Sequence, residues 1–228
     1  MVNKNLMNAA RGLCALLLFA GVSAAALAQS EQQKLVNAAE TTLSNFLRDP
    51  QMTWLHENFG RAKAVLIAPQ VVKAGFIFGG SGGRAVLIAR DPKSGKWVGP
   101  AFYTLATASV GFQAGVAVSE VVALVTSDKA LRALLATSVK LGPDASIAAG
   151  PVGAGAKADI VSDLVTFSRD KGVYGGLNLD GTAVTVSDEW NEAYYHKKVQ
   201  PSDILVSMTV HEKGADKVLG DAAKATKK

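Results

Sequence analysis

The sequence predicts an α+β fold in a single domain: a mainly antiparallel, strongly curved or barrel-like sheet with helices packed outside it. Three observations predict it. Short apolar runs punctuated by glycine fill the middle of the chain and outnumber the segments with helical periodicity. Most connections between those runs are too short for the crossover helices that a parallel sheet requires. Residues 106–123, rich in Gly, Ala and Ser, suit strands that bend or approach another backbone closely. With 228 residues, 49% of them hydrophobic and 19% charged, the chain can bury one sizeable core.

The first 28 residues are set apart from that domain. Lys4 and Arg11 accompany an apolar run, 13–22, too short to span a bilayer comfortably, and Ala26-Leu27-Ala28 supplies a small-residue cleavage site. This pattern reads as a secretory signal peptide, with Gln29 as the mature N-terminus and the periplasm as the expected compartment. Cys14, the single cysteine, falls inside the apolar run, so the mature chain is expected to carry no lipidated cysteine, disulfide or thiolate metal site. Without Lys4 and Arg11, the 24 Lys+Arg become 22 against 19 Asp+Glu. That mild excess permits attraction to anionic headgroups, whereas the scattered basic residues form no stripe for nucleic acid.

The N-terminal segment 30–60 is helical. Ser30 and Gln33 form a capping-box pattern, and Leu35, Ala39, Leu43, Phe46 and Leu47 recur at helical spacing until Asp49-Pro50. Its cations, Lys34 and Arg48, are too few against Glu31, Glu40 and Asp49 for an interfacial helix, so packing on the protein's own sheet is expected. A shorter helix over 52–58 is closed by Gly60. The β-rich core, 61–210, is expected to hold strands over 65–68, 75–78, 85–90, 102–109, 111–119 and 121–126, with a turn at 91–95. Ser127 and Asp128 then open a helix over 129–137. Strands follow over 146–149, 164–169, 173–179 and 182–187, the last two joined by a hairpin at Asp180-Gly181. Short helices open at Asp188 and Pro201, and the aromatic and basic run 194–198 reads as a helix end whose cations complement its dipole. The Ala- and Lys-rich tail, 214–228, is expected to fray.

One stretch, GFIFGGSGGRAVLIA from Gly75, raises a chemical question. Gly79, Ser81 and Gly83 match the G-x-S-x-G pattern of a nucleophile elbow, and Gly80, Gly82 and Ala85 match a dinucleotide-binding turn. Both motifs work only when a helix follows, because its N-terminus supplies the oxyanion or phosphate donors. Here RAVLIARDP follows, which is β-rich and halted by proline, and no lysine followed by Ser or Thr completes a phosphate loop. The glycines are therefore expected to form a tight reversal, without catalysis at Ser81. His56-Glu57 and His211-Glu212 lack the second histidine of a zinc-protease motif, and His196 stands alone. No metal, cofactor or catalytic pair is expected.

Several longer segments run in order along the mature chain: Arg61-Ala62-Lys63-Ala64-Val65, VVKAGFIFGGSGGRAVLIAR from Val71, GPAF from Gly99 and SVGFQAGVAVSEVVALV from Ser109. LGPDASIAAGPVG from Leu141, FSRDKGVYGGLNLDG from Phe167 and KKVQPSDIL from Lys197 continue the series. In these segments the chain resembles the SYLF domain family, found in bacterial exported proteins and in eukaryotic phosphoinositide-binding and actin-patch proteins. The resemblance implies a non-enzymatic lipid-binding protein, with phosphoinositides or other anionic phospholipids as the ligand class. Eukaryotic members are thought to use an N-terminal amphipathic, basic segment; the corresponding 29–58 is amphipathic but not basic here. The expected headgroup ligands are instead Lys63, Lys73 and Arg84, read as cations flanking the glycine hairpin. The alternative expectation is a structural or protein-interaction module of the envelope with no lipid ligand.

Overall fold

Short apolar runs form the strands of this chain, and four of those strands are long. The computed structural model describes residues 29–75, 78–110, 115–170, 173–174 and 179–227. The expected leader, 1–28, lies outside them, as does most of the expected strand 173–179. Helix α1 (Glu31–Arg48) buries Ala39, Leu43 and Phe46, three of the residues whose spacing predicted it, together with Val36, while Leu35 and Leu47 are half-buried. It is followed by α2 (Thr53–Asn58) and a 3₁₀ turn, Phe59–Arg61. The sheet strands are β1 (Ala64–Gly75), β2 (Phe78–Arg90), β3 (Trp97–Val110) and β4 (Gly115–Val125). Helix α3 (Asp128–Leu134) comes next, its N-terminus capped by the Ser127 hydroxyl, which accepts from the Ala130 amide. The later elements are β5 (Ser138–Lys140), β6 (Ile147–Ala149), β7 (Leu164–Asp170), β8 (Val173–Tyr174) and β9 (Ala183–Val186). Helices α4 (Asp188–Tyr195), α5 (Pro201–Leu205) and α6 (Asp216–Thr226) close the chain.

Among the described residues, the strands form one sheet in the order β5-β9-β3-β2-β1-β4-β7-β6, with β8 paired to β7, and it curls into a half-barrel. Only β6 and β7 run parallel; the other strand pairs are antiparallel, as the short connections require. Residues 32–228 make one compact unit.

The register fixes which side chains share a face. One buried row crosses five strands: Phe102, Val86, Ile67, Val122 and Phe167. Helices cover this face. Trp54 of α2 lies 6.0 Å from the Phe167 ring, and Trp190 and Tyr194 of α4 lie 6.0 and 5.0 Å from Phe102. The opposite face packs beneath α3, where the buried Tyr103 hydroxyl donates to the Leu134 carbonyl at 2.6 Å. Burial alone pushes that phenol's pKa up.

Several expectations need correction. The glycines from Gly79 to Gly83 are not a reversal: they lie within β2, none of them at positive φ, paired along β1, which ends at Gly75. They serve close approach. At Pro69, which has no N–H to donate, β1 carries an extra residue relative to both β2 and β4. The Gln70 carbonyl lies so close to β2 that a Cβ on Gly83 would sit 2.3 Å from its oxygen. The turn at Asp180-Gly181 is real, with Gly181 at φ +78°, yet β9 pairs with β3 and β5 rather than with β8. The tail does not fray: α6 buries Val218 and Ala222, and Trp97 Nε1 donates to Thr226 Oγ1 at 2.9 Å. Lys217 also meets Glu40 of α1 at 2.8 Å. Small side chains on one helix face were enough for docking, although the tail's composition offered few large apolar residues.

Candidate functional site

Helical cover ends at a row of polar residues. One step beyond the Phe102–Phe167 row, the same face presents Thr185, Thr104, Arg84, Gln70, Glu120 and Arg169; the register pairs the first four in sequence and Glu120 with Arg169. Most of the row is anchored. Arg84 places its guanidinium carbon 3.9 Å from the centre of the Trp190 ring, a cation–π contact. Thr104 and Ser187 share a hydrogen bond at 2.9 Å, and Thr42 of α1 donates to Glu120 at 2.9 Å. Arg169 Nε donates to Glu120 at 2.9 Å while the guanidinium lies 5.2 Å from the Phe46 ring centre.

Beyond this row the face changes character. The next two rows are Ala183, Ala106, Gly82, Val72 and Val118, then Ala108, Gly80, Ala74 and Val116. Val72 is 39% exposed and Val116 71% exposed, and Ala74, Ala106 and Ala108 are exposed too. At the lateral edge, Lys140 of β5 pairs with Ala183 and is exposed.

The other face of the same strands is mixed: one row is polar apart from Ala117, and the row below it buries Leu105 and Val71. Thr107, Ser81 and Lys73 form one row there, with Ser119 and Asp170 in the row below. Thr107 and Thr182 share a 2.6 Å hydrogen bond, Ser119 donates to Asp170, and Lys73 Nζ lies 3.8 Å from the Asp170 carboxylate. Ser81 therefore sits mid-strand between Lys73 and Thr107, not at the mouth of a helix.

The three cations singled out from the sequence are not gathered into one cluster. Lys73 and Arg84 stand at the base of the uncovered half, on opposite faces. Lys63 is elsewhere: it precedes β1 at the far end of the sheet and pairs with Asp128 at 3.0 Å. Ten residues of extended chain, about 33 Å, separate it from Lys73. The expectation that Lys63 flanks the glycines fails because β1 is one long strand, not two short ones. Trp190 was not singled out from the sequence, since nothing local says that α4 folds back beside Arg84.

Other chemistry-bearing groups are absorbed by the fold. His56 Nε2 lies 3.2 Å from the Phe46 carbonyl, His211 meets Asp216 at 3.1 Å, and His196 takes the left-handed position that ends α4. Tyr195 donates from its buried hydroxyl to the Pro100 carbonyl at 2.8 Å, so the 194–198 run turns its rings inward. Asp163 binds the loop before β7 to α3. The Ser127 hydroxyl above all, then the Ser146 amide and hydroxyl and the charge of Lys129, hold its pKa at about 2 against burial. A cleft of about 250 Å³ between α1 and α6 is lined by Arg48, His56, Asp221 and Lys224, of which Lys224 and Asp221 pair with each other at 2.9 Å. No group of three or more metal-ligating side chains occurs among the described residues.

Comparison with known proteins adds a family. Residues 106–225 match the model described as Ysc84, Las17-binding protein actin regulator. Protein YSC84 of Saccharomyces cerevisiae is 32% identical over 166 residues, covering 70% of this chain and 35% of that protein. SH3 domain-containing YSC84-like protein 1 of Homo sapiens is 29% identical over 154 residues, covering 65% of this chain and 44% of its own length. LAS seventeen-binding protein 3 of Saccharomyces cerevisiae is 31% identical over 142 residues, 59% of this chain and 30% of that protein. The chain thus spans less than half the length of these curated relatives.

Proposed function

The chain belongs to the Ysc84 family, the SYLF domains, and from that premise we propose that it is a non-enzymatic lipid-binding protein that engages anionic phospholipid headgroups at the cell envelope. The observation that carries this reading is the half of the sheet left outside the helices, with Arg84 and Lys73 at its base. Lys73 leans on Asp170 at only 3.8 Å, and both side chains remain about one-third exposed, at 33% and 31%. A pair that open is worth little in water, so a phosphate oxygen competes readily for the ammonium. Arg84 keeps its charge and its donors while the indole fixes its position. Export through a cleaved leader, 1–28, belongs to the same proposal; N-terminal sequencing of the mature protein should begin at Gln29.

Flotation with vesicles tests it. Recovery is expected with vesicles containing phosphatidylglycerol and not with pure phosphatidylcholine. Equal recovery from both, or none from either, overturns the reading. Reversing charge at Lys73 and Arg84 together should weaken capture, more so at low salt, because screening removes such attraction as ionic strength rises. A fluorophosphonate probe should leave Ser81 unlabelled.

A second reading draws on the family description, which names Las17 binding and actin regulation for its members. On that reading the chain is an interaction module with a protein partner. Crosslinking in intact cells separates the two: one stoichiometric protein partner with no lipid retained favours the second.

A further inference from the structure

We infer that the face carrying Val72, Ala74, Ala106, Ala108, Val116 and Val118 is laid against the membrane, entering as far as the acyl boundary, while the Lys73–Ser81–Thr107 face stays in water. This rests on the lipid-binding reading and narrows it: of the two cations named there, Arg84 shares the membrane-facing side, whereas Lys73 lies on the opposite face and does not meet the headgroups.

Four observations point to lipid as the occupant. Beyond the Thr104–Arg84–Gln70 row, the described residues of β1 to β4 on this face carry no polar side chain over two successive rows. A contiguous exposed apolar surface with a polar rim marks an interaction site. The rim has the composition of a water–lipid boundary, with a tryptophan under an arginine and an exposed lysine, Lys140, at the lateral edge. In the polar row Glu120 is neutralised by Arg169, and among the described residues Arg84 and Lys140 are the further cations on this face, with the Asp144 carboxylate held at the Lys140 backbone amide at 2.7 Å. Finally, β1 and β2 have strand partners on both sides through this region, so their backbone amides and carbonyls are already paired. Paired backbone is what an apolar medium demands. Small side chains let that face meet acyl chains without the interdigitating side chains by which two protein sheets pack.

The test uses the full chain with Cys14→Ser and single cysteines at Ala74, Val116 or Ser81, each labelled with an environment-sensitive fluorophore and mixed with phosphatidylglycerol-containing vesicles. Labels at 74 and 116 should shift to the blue and be quenched by brominated acyl chains; the label at 81 should do neither. In parallel, Val116→Asp should lower vesicle partitioning about tenfold, the scale of one valine's burial, and the loss should persist at high salt. Val116→Leu should keep or raise binding. If the protein floats but the labels at 74 and 81 behave alike, or Val116→Asp floats as well as the parent chain, the inference falls and electrostatic lipid binding stands. If the parent chain does not float at all, both fall.

Discussion

Val86 and Gly82 lie on the same strand and the same face, two rows apart, yet they belong to different regimes. Val86 sits in a row whose members are buried by helices, from Phe102 at one side to Phe167 at the other. Gly82 sits in a row beside Val72, 39% exposed, with Val116 at 71% in the row beyond. The ladders among β1, β2, β3 and β4 resume beyond the extra residue at Pro69, so these four strands stay paired to one another in both regions, although β3 loses β9 beyond Ala106 and β4 loses β7 beyond Ser119. The difference is what lies on top. A strand needs only neighbours to exist; it needs a second layer to make its side chains a core.

The largest expected effect lies in the covered region. Phe102→Ala should cost about 3–5 kcal/mol in denaturant unfolding, because the ring is enclosed by Trp190 and Tyr194. Val116→Ala, on the uncovered face, should change stability by less than about 0.5 kcal/mol. A comparable cost at both positions would erase the distinction.

Next comes the junction. Gly83→Ala should destabilise by about 1–3 kcal/mol, since its Cβ meets the Gln70 carbonyl and strand backbone yields poorly. Gly82→Ala, whose Cβ would lie 3.4 Å from the Leu105 carbonyl, should stay within about 0.5 kcal/mol of the parent. This pair of measurements separates glycine needed for close approach from glycine that merely keeps the exposed face smooth.

Acid probes the covered region by another route. The folded-state pKa of Asp163, about 2, lies below its ordinary 3.8, so its contribution is present above the ordinary value and lost as pH falls through the folded one. Asp163→Asn should cost about 1–2 kcal/mol near neutrality, the scale of a charge-assisted hydrogen bond. That gap from the parent should close between pH 4 and pH 2, followed by denaturant titration at each pH.

The smallest effect is at the rim. Trp190→Ala removes the ring beneath Arg84, and the cation–π contact itself is worth about 0.5–1 kcal/mol at an exposed site. Trp190 also touches Phe102, so Arg84→Gln serves as the cleaner partner in a double-mutant cycle.

The local features of this molecule were legible in its residues. The helical spacing from Leu35 to Leu47, the Ser127 cap and the extended run after Ser81 each follow from interactions within a few positions along the chain. Where the structure differs from the sequence, the deciding contact is distant. The glycines read as a reversal because nothing near them reveals that the Gln70 carbonyl lies against Gly83. The Asp180-Gly181 turn points β9 to its sequence neighbour, whereas β3 and β5 hold it. Local texture breaks β1 in two and so sets Lys63 beside the glycines. Nothing local marks Trp190.

What the sequence determined by itself was the alternation of side chains along each strand, which turns Val72 and Ala74 to one face, apolar here, and Lys73 to the other, because side-chain direction in extended chain depends only on position parity. What only the tertiary structure decided was how far up that apolar face the helices reach. That limit is set where Thr42 of α1 meets Glu120 and Trp190 of α4 meets Arg84, contacts 78 and 106 residues apart in the chain. It is these distant contacts that divide one continuous sheet into a core and an open surface.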